Sequence, residues 1–183
     1  MGKRLDEITP ELRHFIEQQP VYFVGTAPLA CAGHVNVSPK GLDTFRVLSP
    51  RKIAYLDLTG SGNETAAHVT ENGRLTVMFC AFSGRPQIVR VYCRGSAVTR
   101  GSREWTTVLA QFPQQAGVRQ VIVGEVEFVQ TSCGYAVPEM ALVGERDTLR
   151  RWTEAKGEEE LVTYRRAHNS ASIDGLTAPA TDS

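Results

Sequence analysis

A glycine-rich segment from Asp57 to Thr65 has the residue types of an anion-binding turn. It reads Asp-Leu-Thr-Gly-Ser-Gly-Asn-Glu-Thr, and a helical pattern follows it as far as Gly73. Unpaired backbone N–H groups at the start of a helix bind phosphate, and the side chains of Ser61 and Asn63 add further donors. The segment therefore predicts either a phosphate site or a helix start that binds no ligand.

The same segment begins like a dinucleotide-binding fingerprint but does not complete it. Gly60 and Gly62 match the first two glycines of G-x-G-x-x-G, and Thr65 stands at the position of the third. The runs that follow alternate as antiparallel strands do, whereas the fingerprint belongs to a parallel sheet. The sequence therefore disfavours a Rossmann domain.

Two positively charged side chains belong to predicted strands, Lys40 at the end of one and Arg90 inside another. Lys40 follows Asn36-Val-Ser-Pro directly before a turn, and a lone lysine there is most simply a solvated surface charge. Arg90 interrupts the apolar run that begins at Ile88, and alternation turns its side chain away from the face of Val89 and Val91. A functional role and an exposed sheet face explain Arg90 equally well.

The composition is that of a globular protein without a charge preference. Hydrophobic residues make up 42% and charged residues 22%, and 20 Lys plus Arg balance 20 Asp plus Glu, so the net charge is zero. This balance disfavours nucleic-acid and membrane partners. Scattered cysteines and histidines, without C-x-x-C or H-E-x-x-H, predict no metal site. With no signal-peptide pattern and no apolar run near the ~20 residues of a bilayer span, we expect a cytoplasmic protein.

The hydrophobic pattern predicts a mainly β protein with flanking helices. Within residues 1–20 we expect one helix, capped by Thr9 and stopped by Pro20. Residues 21–132 contain six or seven strand-like runs in hairpin-like succession, including a predicted hairpin of 74–82 with 87–99. Such succession favours an antiparallel barrel or sandwich over a parallel sheet.

Further helices are predicted in and after the strand region. Trp105, Val108 and Phe112 recur with helical spacing after a possible cap at Ser102, which indicates a core-facing helix. The C-terminal part, residues 133–183, is expected to hold a loop, two short helices (146–156 and 158–168) and a polar, partly disordered tail. We find no linker or repeat, so residues 1–183 are interpreted as a single domain.

Taken together, these segments resemble the pyridoxamine 5′-phosphate oxidase-like family of FMN-binding split β-barrels. The similarity is to an oxidase-related subgroup rather than to the true vitamin oxidases, and it runs from about Val21 to Leu176. It rests on Val-Ser-Pro at 37–39, on the strand, turn and helix start at 57–65, and on Cys133-Gly-Tyr-Ala-Val-Pro and Ser172-Ile-Asp-Gly-Leu. The resemblance implies an antiparallel FMN-binding split β-barrel and a homodimer with two flavin sites.

The resemblance also implies where the cofactor is held. In the family, the strand that ends in the Val-Ser-Pro-like sequence contacts the flavin, the next strand and helix start hold the ribityl phosphate, and a later strand brings a polar side chain near the ring. The implied FMN-binding residues are Val37, Ser38, Pro39, Lys40, Leu58, Thr59, Ser61, Asn63, Glu64, Thr65 and Arg90. We further predict that Tyr135 lies against the flavin, the alternative being a ring that only covers the barrel end. No catalytic residue is identified.

Two departures separate this chain from the vitamin oxidases. Glu64-Thr65 stands where the oxidases carry Arg-Lys, and the arginine-containing C-terminal signature is replaced by Ile173-Asp-Gly-Leu-Thr-Ala-Pro. The resemblance therefore implies an FMN-dependent oxidoreductase that uses a small-molecule electron donor and acceptor and whose substrate is unknown. Two alternatives stay open, namely a non-catalytic flavin carrier or sensor and a split-barrel reductase that uses F420.

Overall fold

The computed structural model describes residues 2–180, and one antiparallel sheet of eight strands runs through it. The strands follow the order β3-β2-β6-β7-β8-β5-β4, and β1 pairs with β8. This arrangement confirms the predicted mainly β, antiparallel fold. The strands are β1 Arg4–Leu5, β2 Tyr22–Thr26, β3 Asn36–Lys40, β4 Phe45–Ser49, β5 Lys52–Leu58, β6 Arg74–Cys80, β7 Ile88–Val98 and β8 Val118–Ser132.

Helices flank this sheet, and the first two begin and end at the residues that local chemistry favours. The helices are α1 Pro10–Glu17, α2 Glu64–Asn72, α3 Trp105–Leu109 and α4 Thr148–His168. The predicted cap of α1 is confirmed, because the Thr9 hydroxyl accepts a hydrogen bond from the Leu12 N–H at 3.3 Å. Helix α2 ends at Gly73, whose φ of 74° is the left-handed conformation that glycine adopts most easily. No helix within residues 2–180 is long and apolar enough to cross a membrane.

The two later helices differ in detail from the sequence prediction. Ser102 does not cap α3: its hydroxyl accepts the Thr99 N–H at 2.9 Å and so closes the turn before the helix. The predicted break between two C-terminal helices is present, because Gly157 inside α4 has φ 68° and ψ 169°. Helix α4 therefore consists of two helical segments joined at a kink.

The main hydrophobic core lies on the concave side of the sheet. Val24, Val77, Val91 and Val129 lie opposite one another on four neighbouring strands, and all are fully buried. Strand alternation explains this row, because every second side chain points to the same face. Burial of one such valine contributes about 1.5–3 kcal/mol, so this row is a large part of what holds the strands together.

A second apolar cluster covers the opposite face of β5 and β8. Leu56 and Val121 are paired across these strands, and they pack with Val108 and Phe112 beside them. The helical stripe predicted to face the core is therefore confirmed.

The remaining part of the convex side, here called the outer face, is only partly covered. Its side chains belong to β3, β2, β6, β7 and β8 and are half-buried or exposed. In register across these strands they form the rows Pro39-Phe23-Met78-Arg90-Gln130 and Val37-Gly25-Thr76-Tyr92-Phe128. The outer face combines apolar and aromatic side chains with a few polar ones.

The tail packs against the rest of the chain over residues 169–180, and its partial disorder stays a prediction; residues 181–183 lie outside the described residues. Side chains distant in sequence fix its backbone. The Glu64 carboxylate accepts the Ile173 N–H at 3.0 and 3.1 Å, and Asp174 accepts the backbone N–H of His34 at 2.7 Å. Asp174 also lies 2.7 Å from Nδ1 of His34. These contacts join the tail to residues more than 100 positions away in the sequence.

The attachment of the tail is predicted to depend on pH. The hydrogen bond and charge of Asp174 raise the pKa of His34, and the same contact lowers the pKa of Asp174. The ion pair therefore exists between these two pKa values, and it is lost as the pH rises through that of His34 or falls through that of Asp174. Hydrogen exchange of residues 171–177, corrected for intrinsic rates, should lose protection by roughly two- to fivefold above the His34 transition.

An Asp174→Asn variant is the matched control, because it keeps the shape of the side chain but removes its charge. It should abolish most of the pH dependence. Equal protection of the tail on both sides of the His34 transition in the unmodified protein would contradict the prediction.

Candidate functional site

Asp57, near the end of β5, is the buried carboxylate at the centre of the candidate site. Its side chain is 2% exposed, and Arg119 donates to it from Nε at 2.9 Å and from Nη2 at 3.3 Å. Gln120 donates from Nε2 at 2.6 Å. From β3, Nζ of Lys40 lies 3.7 Å from Oδ1 of the same carboxylate. Asp57 therefore links three strands, two of which are not neighbours in the sheet.

The pKa of Asp57 is lowered in spite of its burial. Burial by itself raises the pKa of a carboxyl group, but here the positive charges of Arg119 and Lys40 and the hydrogen bonds from Arg119 and Gln120 outweigh it. The carboxylate is therefore ionised at neutral pH. Its contribution to stability is present above about pH 4 and is lost as the pH falls through the lowered pKa.

Asn63 connects this charge cluster to the start of α2 and to the tail. Its Oδ1 accepts a hydrogen bond from Nε2 of Gln120 at 2.7 Å, and its Nδ2 donates to the Asn169 carbonyl at 3.0 Å. Asn169 in turn bonds to Arg119 at 2.8 Å and to the Gly60 carbonyl at 3.0 Å. The Asn63 amide is 1% exposed and is engaged within the protein.

Thr59 is a second buried connection at the same turn. Its N–H and its hydroxyl both donate to the carbonyl of Gly117, at 2.8 and 2.9 Å. Nη1 of Arg165 donates to the same hydroxyl at 3.2 Å. The hydroxyl of Thr59 therefore holds α4 and the loop before β8 against the end of β5.

Thr65 belongs to a chain of polar side chains between α2 and the strands β2 and β3. Nδ2 of Asn36 donates to the hydroxyls of Thr26, at 3.0 Å, and of Thr65, at 3.2 Å. The Thr26 hydroxyl lies 3.0 Å from Nδ1 of His68. Thr26, Thr65 and His68 are buried, so this chain fixes the first turns of α2 against the sheet.

The predicted cofactor residues thus lie in different environments. Three are buried in the polar contacts described above, and the others are half-buried or exposed. The buried ones are Thr59, Asn63 and Thr65; the half-buried ones are Ser38, Lys40, Leu58, Glu64 and Arg90; the exposed ones are Val37, Pro39, Ser61 and Tyr135. Asp57 connects Lys40 with Asn63 through Gln120, so these candidates belong to one network.

Strand alternation separates the remaining candidates. Val37, Pro39 and Arg90 are on the outer face, where Nη1 of Arg90 donates to Ser132 Oγ at 3.0 Å. Ser38 and Lys40 are on the opposite side of β3. Tyr135 lies in the loop after β8 and is 82% exposed, and its contact with a flavin stays a prediction.

Sequence analysis missed the residues that hold the candidate site together. Arg119, Gln120 and Asn169 were not singled out, and Asp57 was noted only as the first residue of the glycine-rich segment. A signal for two of them was present, because Arg119 and Gln120 interrupt the apolar run of β8. A charged residue and an amide inside a buried strand require partners, and this requirement predicts a buried polar cluster.

The residues that stay accessible offer hydrogen-bonding groups and a positive charge to a ligand. Strand β3 is at the end of the sheet and, within residues 2–180, pairs with β2 alone, so its second edge presents backbone N–H and C=O groups. Lys40, at the end of this strand, keeps 25% of its side chain exposed, and Ser61 is exposed beside the first turn of α2. Lys40 and Arg119 place two positive charges around the single negative charge of Asp57. No group of three potential metal ligands occurs among residues 2–180.

Comparison with known proteins assigns this fold and site to a class. The family model described as pyridoxamine 5′-phosphate oxidase matches residues 8–133. The chain is 38% identical to the pyridoxamine 5′-phosphate oxidase family protein ustO of Aspergillus flavus, over 93% of this chain and 75% of the relative.

Solved structures support the same fold. HupZ of Group A Streptococcus matches with a TM-score of 0.51 and 19% identity, over 66% of this chain and 91% of the other. A pyridoxamine 5′-phosphate oxidase-like protein of Lactobacillus delbrueckii matches with a TM-score of 0.54 and 20% identity, over 68% and 93%. The sheet is therefore a split β-barrel of this class. The chain belongs to the pyridoxamine 5′-phosphate oxidase family, which confirms the resemblance.

Replacing Asn63 is predicted to destabilise the protein. An Asn63→Ala variant leaves the buried Gln120 amide and the Asn169 carbonyl each without one hydrogen bond, which costs about 1–3 kcal/mol. Urea unfolding followed by circular dichroism measures this loss. The neighbouring exposed Ser61 provides the control, since Ser61→Ala should change stability by less than about 0.5 kcal/mol. Unchanged stability of Asn63→Ala would show that the buried network is not formed.

Proposed function

We propose that the protein is a flavin-dependent oxidoreductase that holds FMN along the free edge of β3 and at the first turn of α2. The observation that carries this proposal is the position of Lys40. Its side chain, at the end of an edge strand, is 25% exposed, and Asp57, its partner at 3.7 Å, is already bonded to Arg119 and Gln120. Lys40 is therefore a cation that an incoming phosphate can bind. Membership of the family supports a flavin as the ligand.

The residues have distinct tasks in this proposal. When bound, FMN supplies the isoalloxazine ring that accepts and donates electrons. The backbone of Val37, Ser38 and Pro39 bonds to the edge of the ring, and Lys40 neutralises part of the phosphate charge. The first-turn N–H groups of α2 add donors for the phosphate, since the helix dipole favours an anion there.

Asp57 acts on this site through Lys40. Because Arg119 and Gln120 fix the carboxylate, the lysine side chain is held in one direction before the ligand arrives. Thr59, Asn63 and Thr65 position the turn and the helix start instead of contacting the cofactor. This assignment revises the direct phosphate contacts that the resemblance implied for these three residues.

We propose further that the substrate is not the phosphorylated vitamin. The position of the oxidase Arg-Lys pair is occupied by Glu64, whose carboxylate accepts the Ile173 N–H, and by buried Thr65. The tail segment 172–180 contains no arginine, and its Asp174 pairs with His34. The residues at these positions therefore offer no positively charged side chain to the phosphate group of a substrate.

Replacing Lys40 tests the cofactor site directly. A Lys40→Gln variant should weaken FMN binding at least about tenfold, equivalent to ~1.4 kcal/mol, because it removes the charge that faces the phosphate. Quenching of flavin fluorescence on titration with the protein measures this affinity. Lys3→Gln is the matched control, since Lys3 is exposed near β1, and it should leave the affinity unchanged. Equal FMN affinity of Lys40→Gln and the unmodified protein would contradict the placement.

The same preparation distinguishes the proposed enzyme from its alternatives. The absorbance of the loaded protein separates FMN from F420, which absorbs at shorter wavelength. Anaerobic addition of NADH or NADPH then separates an enzyme, whose flavin is bleached, from a carrier whose flavin stays oxidised. A flavin that every donor tested leaves oxidised would contradict the oxidoreductase proposal.

We also propose that the protein is a homodimer in which a second copy covers the outer face. A folded monomer of 20.1 kDa exposes about 8700 Å² of surface, and this chain exposes 10430 Å², roughly a fifth more. The outer face contributes to this excess with half-buried Phe23, Met78 and Phe128 and with Val37, which is 66% exposed. A two-fold pair of such faces buries apolar surface on both copies at once.

A charge placed on the outer face should break this dimer. Met78→Lys puts an ammonium group among the apolar side chains of the interface, so light scattering should report a mixture with a substantial monomer fraction. Leu29→Lys is the control, because Leu29 is 62% exposed and lies outside the outer face. A monomeric mass for the unmodified, FMN-loaded protein would overturn the dimer.

A further inference from the structure

A cavity of about 1310 Å³ lies between the outer face and the C-terminal segment. Ligand sites in proteins are commonly ~300–1000 Å³ and mostly apolar, so this cavity is large enough for an organic ligand. Its walls come from β2, from the turn after β6, from the segment before α4 and from α4 itself. The apolar wall residues include Phe23, Phe82, Met140, Leu142, Leu149 and Trp152.

The cavity opens beside the strand that is proposed to hold the flavin. Phe23 stands opposite Pro39 in the register of β2 and β3, and both are on the outer face. Gly41 and Leu42, the two residues after Lys40, also line the cavity. A molecule in this space therefore lies next to the residues assigned to the cofactor.

Leu42 is held in a conformation that leucine rarely adopts. Its φ is 61°, and within residues 2–180 it is the only residue other than glycine with a positive φ. This conformation costs about 1 kcal/mol or more, and such strain is concentrated at functional sites. Leu42 lines both this cavity and a neighbouring one of about 590 Å³, so its side chain forms part of the wall between them. The strained residue Leu42 therefore lies in the wall of the cavity.

The charged residues that line the cavity within residues 2–180 give it no net positive charge to bind a phosphate ester. Glu145 and Arg146 are its charged residues; they are adjacent in sequence, opposite in sign and exposed. The aromatic wall is more firmly placed, because Trp152 packs edge-on against Tyr164, with ring centroids 5.1 Å apart. Nζ of Lys156 lies 5.6 Å from the centroid of the same indole. An indole held in this way favours a flat ligand, since stacked rings attract one another beyond simple burial.

We propose that this cavity binds the substrate, and that the substrate is an uncharged molecule with a planar apolar body, such as an aromatic ring system. Leu42 and Trp152, which both line the cavity, determine this specificity. The inference rests on the proposed flavin-dependent function for the role of the ligand, whereas binding to the cavity can be measured without it.

The test is a calorimetric titration of the FMN-loaded protein with 2-naphthol, an uncharged planar probe, and separately with pyridoxal 5′-phosphate. We expect 2-naphthol to bind and the phosphate ester to bind at least tenfold more weakly. Trp152→Ala should weaken 2-naphthol binding at least tenfold, and Leu42→Gly at least threefold. Leu42→Gly removes the side chain and relieves the strain, so this variant should fold at least as well as the unmodified protein. Trp105→Ala, at the start of α3 and packed against the second apolar cluster, is the matched control and should bind 2-naphthol normally.

The outcomes separate this inference from the proposed function. Flavin fluorescence measures FMN binding in every variant, and it should stay within twofold of the unmodified protein. If 2-naphthol does not bind to the unmodified protein, the inference is overturned. This is the result expected if a second copy of the chain fills the cavity. Tighter binding of pyridoxal 5′-phosphate, or equal binding of 2-naphthol to all variants, would overturn it as well. Failure of FMN to bind contradicts the proposed function, and 2-naphthol titrations of the flavin-free variants then still test the cavity.

Discussion

The ionised carboxylate of Asp57 is the constraint on which the rest of the site depends. A buried charge without partners costs several kcal/mol, and here Arg119, Gln120 and Lys40 supply the partners from two other strands. Since β3 is at one end of the sheet and β5 is next to the other end, this cluster closes the split of the barrel with charge instead of backbone hydrogen bonds. The same contacts hold the partly exposed side chain of Lys40, which we propose meets the anionic end of the cofactor.

Buried polar contacts and accessible groups have separate roles in this structure. Thr59, Asn63 and Thr65 are bonded inside the protein, and they fix the turn and the first residues of α2. The free edge of β3 and the exposed part of Lys40 remain available to a ligand. This division leaves the groups proposed to bind the cofactor at the edge of a rigid framework, which is where preorganised sites are most accurate.

The sequence predicts the strands and several helix ends because those depend on local chemistry. Alternation identified the hairpin of β6 and β7, and the hydroxyl of Thr9 identified the start of α1. The role of Asn63 could not be predicted in this way, because the partner that engages its amide, Asn169, is 106 residues away. A hydroxyl or amide at a helix start suits a phosphate and a buried contact equally well. The contacts of the tail likewise involve distant Glu64 and His34.

The measurement that tests this account most directly is a crystal structure of the protein grown with FMN. The account predicts a flavin phosphate within hydrogen-bond distance of Nζ of Lys40 and of the first N–H groups of α2, with the ring along the free edge of β3. It also predicts that Asp57 keeps its bonds to Arg119 and Gln120. A flavin bound elsewhere, with Lys40 still paired only with Asp57, would contradict the central claim.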